Sequence, residues 1–163
     1  MTRRLGATEA SILASQSNLA STYSLLGREE EALCMRRNIY SEWLRLEGEE
    51  YIETLGAAYS YAGSLSDMQC FEDVNSLLRK TVPVTRRVLG DSHEVTLKMR
   101  STYAQSLCQV EGATLDDRRE AITTLEDLER IAQRVMGGAH PTTAVIGRTL
   151  QKARAALRAR EVA

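Results

Sequence analysis

The chain has little of what interrupts helices or staples small domains. Its 163 residues include two prolines, three cysteines, one phenylalanine and one tryptophan. So few prolines leave long stretches free to be helical, because only proline both removes a backbone donor and clashes with the preceding turn. Cys34, Cys70 and Cys108 are odd in number and contain no Cys-x-x-Cys pair, which excludes a disulfide framework and a zinc cassette and leaves reduced thiols as the expectation. No apolar run approaches the roughly 18 residues of a membrane span, and Met1-Thr2-Arg3-Arg4 is not followed by a signal-peptide core. An intracellular, cytoplasmic protein is expected. No charge of one sign dominates either. The formal net charge is -1 with 26% charged and 43% hydrophobic residues, which argues against disorder and against a general polyanion binder.

What is abundant is alanine, leucine, arginine and glutamate, a helix-forming composition. What recurs is a junction. Leu89-Gly90-Asp91-Ser92-His93-Glu94-Val95-Thr96-Leu97 has counterparts at Glu47 to Leu55 and Met136 to Ala144, and a fainter one at Leu5 to Leu13. Gly6, Gly48, Gly90 and Gly137 are therefore spaced 42, 42 and 47. Self-similarity at this period signals a stack of supersecondary units.

Each unit reads as a helical hairpin. Ile12, Leu13, Leu19, Ala20, Tyr23 and Leu26 mark an amphipathic helix over 8–26, and Gly27 stops it before Arg28-Glu29-Glu30-Glu31 opens a second helix running to Gly48. The second unit repeats the plan with helices over Tyr51 to Ser66 and Phe71 to Leu89, where Pro83 predicts a kink near Arg79 to Val82. The third has helices over His93 to Val110 and Leu115 to Met136, and its extra five residues fall between the paired helices around Glu111 to Asp117. A last helix, Pro141 to about Arg160, carries Arg148, Lys152, Arg158 and Arg160 and suits a polar cap. Ala20, Ala62 and Ala104 coincide at 42-residue steps, as do Tyr23, Leu65 and Leu107; Ala32, Val74 and Ala121 coincide once the insertion is counted. Small residues at fixed places predict close helix approach there, large ones the filling of space between units.

The run Asn18-Leu19-Ala20-x-x-Tyr23-x-x-x-Gly27-x-x-x-x-Ala32 resembles the core signature of a tetratricopeptide repeat (TPR). The 42-residue period and the Leu-Gly-x-x-His-x-x-Thr-Leu junction are similar to the long repeats of kinesin light chains. The resemblance implies an all-α, right-handed superhelical solenoid: three TPR helix pairs (about 7–48, 49–90 and 91–137) and a C-terminal capping helix (about 140–161), together one TPR domain over 1–163. Two departures stand out: Gln69 replaces the glycine that Gly27 supplies in repeat one, and Arg36 takes a usually apolar position. The coiled-coil heptads that precede the repeats in kinesin light chains are absent, so a motor-adaptor role is not carried over.

The resemblance further implies a peptide groove on the first helix of each pair. By position its residues are Ser17, Asn18 and Ser21; Tyr59, Ser60 and Gly63; Ser101, Thr102 and Gln105; with Arg148, Thr149 and Lys152 on the last helix and Lys98 ahead of the third set. Amides and short hydroxyls suit an extended backbone, and Lys98, Arg148 and Lys152 would suit an acidic segment or a terminal carboxylate. The plainer alternative is that small polar residues solvate a concave face. A non-enzymatic protein-interaction scaffold is the expected function; a structural spacer in a larger assembly is the alternative.

Nothing in the sequence asks for more chemistry. His93 and His140 are equivalent junction positions without a second ligand at helical spacing, so capping is expected rather than a metal site. No nucleophile elbow or phosphate loop occurs, and no catalytic residue or cofactor is implied. From Pro141 onward five basic residues face one acid, giving +4 and leaving -5 for the rest. Without interleaved aromatics that tail is a poor nucleic-acid reader. Trp43, late in a second helix, is expected to pack against the next unit.

Overall fold

The computed structural model describes residues 7–161. The Leu5-Gly6 end of the faint first junction lies outside them. Among the described residues there are seven helices and no strand: α1 (Ala7–Leu25), α2 (Glu29–Glu47), α3 (Ile52–Asp67), α4 (Phe71–Leu89), α5 (Glu94–Gln109), α6 (Leu115–Met136) and α7 (Pro141–Glu161). The chain divides into two compact units, Met1–Cys70 and Phe71–Ala163.

Helix ends follow from local chemistry. Gly48, Gly90 and Gly137 follow α2, α4 and α6 at φ of 86°, 87° and 86°, a conformation that costs any residue with a Cβ. At the next junction His93 N-caps α5, its Nδ1 accepting from the Val95 N–H at 3.2 Å, and His140 Nδ1 accepts likewise from the Thr142 N–H at 3.2 Å. The inserted segment of repeat three ends in a capping box: the Thr114 hydroxyl accepts from the Asp117 N–H, and the Asp117 carboxylate accepts from the Thr114 N–H. Leu115, Asp116 and Asp117 thus form the first turn of α6. Helix α4 runs through exposed Pro83 to Leu89 without ending.

In the N-terminal unit α2 packs against both α1 and α3. Leu13, Ile39 and buried Trp43 form one cluster, and the Trp43 ring lies 5.6 Å from that of Tyr51. Arg36, the departure noted above, is half-buried; its Nη1 donates to the Ser64 hydroxyl at 2.5 Å and so ties α2 to α3. The expected apolar stripe of α1 is only half used. Leu13 and Ala20 are buried, but Ile12 is 51% exposed, Leu19 43% and Leu26 67%. The reason is that α1 packs on α2 and not on α3 within this unit, so one flank of its stripe has no partner there.

Gln69 answers the other departure. It has φ of 60°, the left-handed conformation that Gly27 adopts at 74°. The hydrogen bonds match as well: Gly27 N–H to Ser24 O (3.0 Å) and Arg28 N–H to Tyr23 O (2.9 Å) in repeat one, Gln69 N–H to Ser66 O (3.0 Å) and Cys70 N–H to Leu65 O (2.9 Å) in repeat two. The repeat geometry therefore persists against residue preference. Left-handed backbone costs an L-residue roughly 1–2 kcal/mol, partly offset because glycine loses more entropy on folding. Gln69→Gly is expected to stabilise the protein by about 0.5–1 kcal/mol, raising Tm by roughly 1–4 °C in a thermal melt. An unchanged or lower Tm would show that the strain is relieved elsewhere.

In the C-terminal unit the core is continuous. Leu97, Ala104 and Cys108 of α5, Ala121, Ile122, Leu125, Leu128 and Ala132 of α6, and Ile146, Leu150 and Ala153 of α7 form one buried cluster. Here the two first helices, α5 and α7, do meet, and α6 packs on both. Between α4 and α5 the buried Ser106 hydroxyl donates to the Asn75 side-chain oxygen. Ser106 stands 42 residues after Ser64, so both first helices offer a buried serine to a second helix.

Candidate functional site

The junction between α6 and α7 sets the site. His140 and Pro141 start α7, and the Thr142 hydroxyl donates to Glu94 Oε1 at 2.7 Å, fastening the start of α7 to that of α5. Lys98 Nζ reaches the same carboxylate oxygen at 2.7 Å. The Lys98 contact first, then the Thr142 hydroxyl, holds the Glu94 carboxyl below its ordinary range. Glu94 is therefore a charged anchor for both partners at neutral pH.

From that anchor, burial of Ile146, Leu150 and Ala153 fixes the rotation of α7. Helical spacing then carries Thr149, Lys152 and Ala156 to the side facing Gln105 and Cys108 of α5 and Arg118 of α6. These residues line a cavity of about 120 Å³. Cys108 is buried, and desolvation pushes its thiol up, with the Arg118 charge opposing. Arg118 is only 8% exposed, and its Nε has no hydrogen-bond partner among the described residues.

The positions named from sequence divide accordingly. Gln105, Thr149 and Lys152 come together around this cavity. Lys98 is engaged by Glu94, Ser101 is buried at 5% exposure, Thr102 is half-buried and Arg148 is exposed away from the cavity lining. In the N-terminal unit Asn18 and Ser21 are exposed, and Ser17, Tyr59, Ser60 and Gly63 are partly covered. Ser21 donates to Ser17 O at 3.1 Å and Ser60 to Gly56 O at 3.1 Å, so both hydroxyls turn back on their own helices. Because α1 and α3 do not pack together, the structure does not join these two sets.

Arg118 is the residue that sequence reasoning missed. In the run Asp116-Asp117-Arg118-Arg119 it looks like one charge of a solvated helix start. The repeat alignment held a signal, since the equivalent residues are Glu29 and Phe71, and a position that holds phenylalanine in one repeat is not plain surface. Among the described residues no group of three or more His, Cys, Asp or Glu could hold a metal ion, and no helix is long and apolar enough to cross a membrane.

Paired helices repeated at this period, with glycine-terminated second helices, define an all-α solenoid of TPR-like repeats. The chain is similar to two crystal structures of the nearly identical TPR-like repeats of a candidate kinesin light chain from Podosopora anserina, one of them a point variant. The TM-scores are 0.74 and 0.71, each at 21% sequence identity over 97% of this chain and 72% of the other. No family model matches the sequence, and a search of curated proteins finds no match.

Proposed function

We propose that the protein is a non-enzymatic interaction scaffold that takes an extended peptide segment along the first helices of its C-terminal unit. The observation that carries this reading is the convergence of Gln105, Thr149 and Lys152, from two first helices, on one partly open cavity. Solenoids of paired helices commonly use such faces to hold partners. A peptide backbone needs both donors and acceptors, which the Gln105 amide supplies, and a cation such as Lys152 favours an acidic segment.

A displayed library of random peptides tests this directly. The unaltered protein is expected to enrich a sequence class, and the double variant Gln105→Ala with Lys152→Glu to bind the enriched peptides at least about tenfold more weakly, a loss of about 1.4 kcal/mol. Peptides bound equally by both proteins would place the binding face elsewhere; no enrichment at all would remove the reading.

A second reading, a structural spacer in a larger assembly, is favoured by the exposed apolar side chains of α1 and its end, above all Leu25 at 88% exposure and Leu26 at 67%. Sedimentation of the purified chain separates the two. A monomer that binds library peptides supports the scaffold, and a chain that self-associates until Leu25 and Leu26 are made serine supports the spacer.

A further inference from the structure

Helix α1 leaves open a face that the later first helices cover. Helices α3, α5 and α7 each pack on the second helix before them. Counted in repeat steps, the covered positions are the equivalents of Ile12, Ser15, Leu19 and Thr22. Thr54, Thr96 and Thr143, at the place of Ile12, are buried. At the place of Ser15, Ala57 packs on Ile39 and Trp43 of α2, and Met99 is 0% exposed. Tyr61, at the place of Leu19, stacks on Tyr40 of α2 at 6.1 Å, while Ser64 and Ser106, at the place of Thr22, meet Arg36 of α2 and Asn75 of α4. No helix precedes α1 among the described residues, so Ile12 and Leu19 stand 51% and 43% exposed.

That face has the chemistry of an interface. Glu9 is the single charged residue of α1, in a chain that is 26% charged, and it acts on Arg45 of α2. Loss of charge marks the centre of an interface. The hydroxyls of the stripe are already spent: Ser15 donates to Ser11 O at 2.9 Å and Thr22 to Asn18 O at 3.0 Å, so burying them strands no donor. Helix α7 also has no second helix after it among the described residues, yet it carries Arg148 and Gln151, both exposed, where α5 buries Ser101 and Ala104. An uncovered side is polar there and apolar on α1.

The order of the side chains says what covers it. Large residues recur at Ile12, Leu19 and Leu26 and small ones at Thr8, Ser15 and Thr22, both at seven-residue steps. Thr8, Ile12, Ser15 and Leu19 line one open groove, and the Leu26 N–H still bonds Thr22 O at 3.1 Å in helical register. A seven-residue period suits pairing with another helix along the whole length of the stripe. Helices like α2 and α4 bring Arg36 or Asn75 to the position where Thr22 needs no partner; α1 itself brings only small and apolar groups. We propose that two copies of this chain associate through α1, antiparallel about a two-fold axis. That register sets Ile12 against Thr22 of the second copy, Leu19 against Ser15 and Leu26 against Thr8, so every large side chain meets a small one. A two-fold contact uses the same patch on both copies and closes on itself. The seam lies in the N-terminal unit and goes beyond the scaffold reading, which rests on α5 and α7.

Sedimentation of the full chain from roughly 1 to 500 μM tests this, with a Kd of roughly 5–100 μM expected and the mass levelling at two chains. So weak a dimer suits a seam one helix wide, below the roughly 1,200–2,000 Å² of standard interfaces. Ser15→Glu, a surface change in the single chain, is expected to leave a monomer throughout, a loss of at least about a hundredfold, by placing a charge under Leu19 of the second copy. Ser15→Leu decides the register. It adds apolar surface, so a nonspecific patch or a parallel pair would tighten, whereas the interlocked pair is expected to weaken at least about tenfold by overpacking. Adding Leu19→Ser to it exchanges large for small across the seam and is expected to restore the Kd to within about threefold.

Leu25→Ser with Leu26→Ser, which the spacer reading requires to abolish association, is expected to weaken the dimer less than about tenfold, because Leu25 falls off the stripe and Leu26 ends it. A chain still monomeric at the highest concentration overturns the inference and leaves the face to a helix of another partner. Tighter association of Ser15→Leu, loss of the dimer in the Leu25 and Leu26 variant, or mass climbing past two chains overturns it as well. Ser15→Glu is expected to leave peptide enrichment unchanged, so this inference and the scaffold reading fail separately.

Discussion

Leu97→Ala is expected to destabilise the protein by about 3 kcal/mol, the middle of the range for emptying a fully buried leucine site. Leu97 is 0% exposed and lies in the cluster that α5, α6 and α7 share. It is also the last residue of the repeating junction, so its side chain enters the core one turn after the His93 cap. That cap fixes where the helix begins, and little backbone adjustment is left to fill a cavity. Urea unfolding followed by circular dichroism measures the loss as a lower midpoint at an unchanged slope. Leu25→Ala is the control: 88% exposed, it is expected to change stability by no more than about 0.5 kcal/mol. A loss below about 1 kcal/mol at Leu97 would mean that the junction leucine is not core.

The neighbouring residue is expected to respond with the opposite sign. Thr54, Thr96 and Thr143 occupy the same junction position, are 1%, 0% and 4% exposed, and have hydroxyl oxygens with no hydrogen-bond partner among the described residues. Each sits at the start of a first helix, where the carbonyl four residues back lies outside the helix and is not available in helical geometry. A buried hydroxyl without a partner costs about 1–3 kcal/mol, and valine has nearly the same shape and helix propensity. Thr96→Val is therefore expected to stabilise by about 1 kcal/mol, and the triple variant by about 3 kcal/mol, because the sites lie in separate repeats and should add. Thr96→Ser, which keeps the hydroxyl and loses the methyl, is expected to destabilise by about 1 kcal/mol. If Thr96→Val instead melts lower, the hydroxyl has a partner, such as bound water, that the position requires. The repeat-one counterpart is Ile12, which has no hydroxyl to bury and is 51% exposed.

These two side chains show how far the sequence could be read. The junction was visible because its parts act locally: glycine for positive φ, histidine for a cap, leucine for the first buried turn. The same holds for α4, where the span Phe71 to Leu89 expected from sequence is the observed helix. Ala20, Ala62 and Ala104, aligned by spacing alone, are all 0–1% exposed, as are Ala32, Val74 and Ala121. Trp43, expected to pack against the next unit, clusters with Leu13 and Ile39 of its own repeat and also meets the next one, where Ala57 packs on that cluster and the Tyr51 ring lies 5.6 Å away.

Other expectations depended on distances between helices, which spacing does not encode. Lys98 was counted among the groove cations, yet Glu94 lies one turn before it and engages it. Ser101 has the polarity of a groove residue and the burial of a core one. The stripe of α1 has the helical period but covers only part of itself, because α2 is its one partner within the N-terminal unit.

By itself, then, the sequence determined the period, the helices and their ends, and the alternation of small and large core residues. Each of these is set by interactions within a few residues, or by a volume constraint that recurs every 42. Only the tertiary structure decided which polar residues meet. Gln105, Arg118 and Lys152 are neighbours because Thr142 fastens α7 to Glu94 and three buried side chains fix its rotation. A charge in a helix start looks the same in sequence whether water or a neighbouring helix lies beside it, and for Arg118 it is the helix.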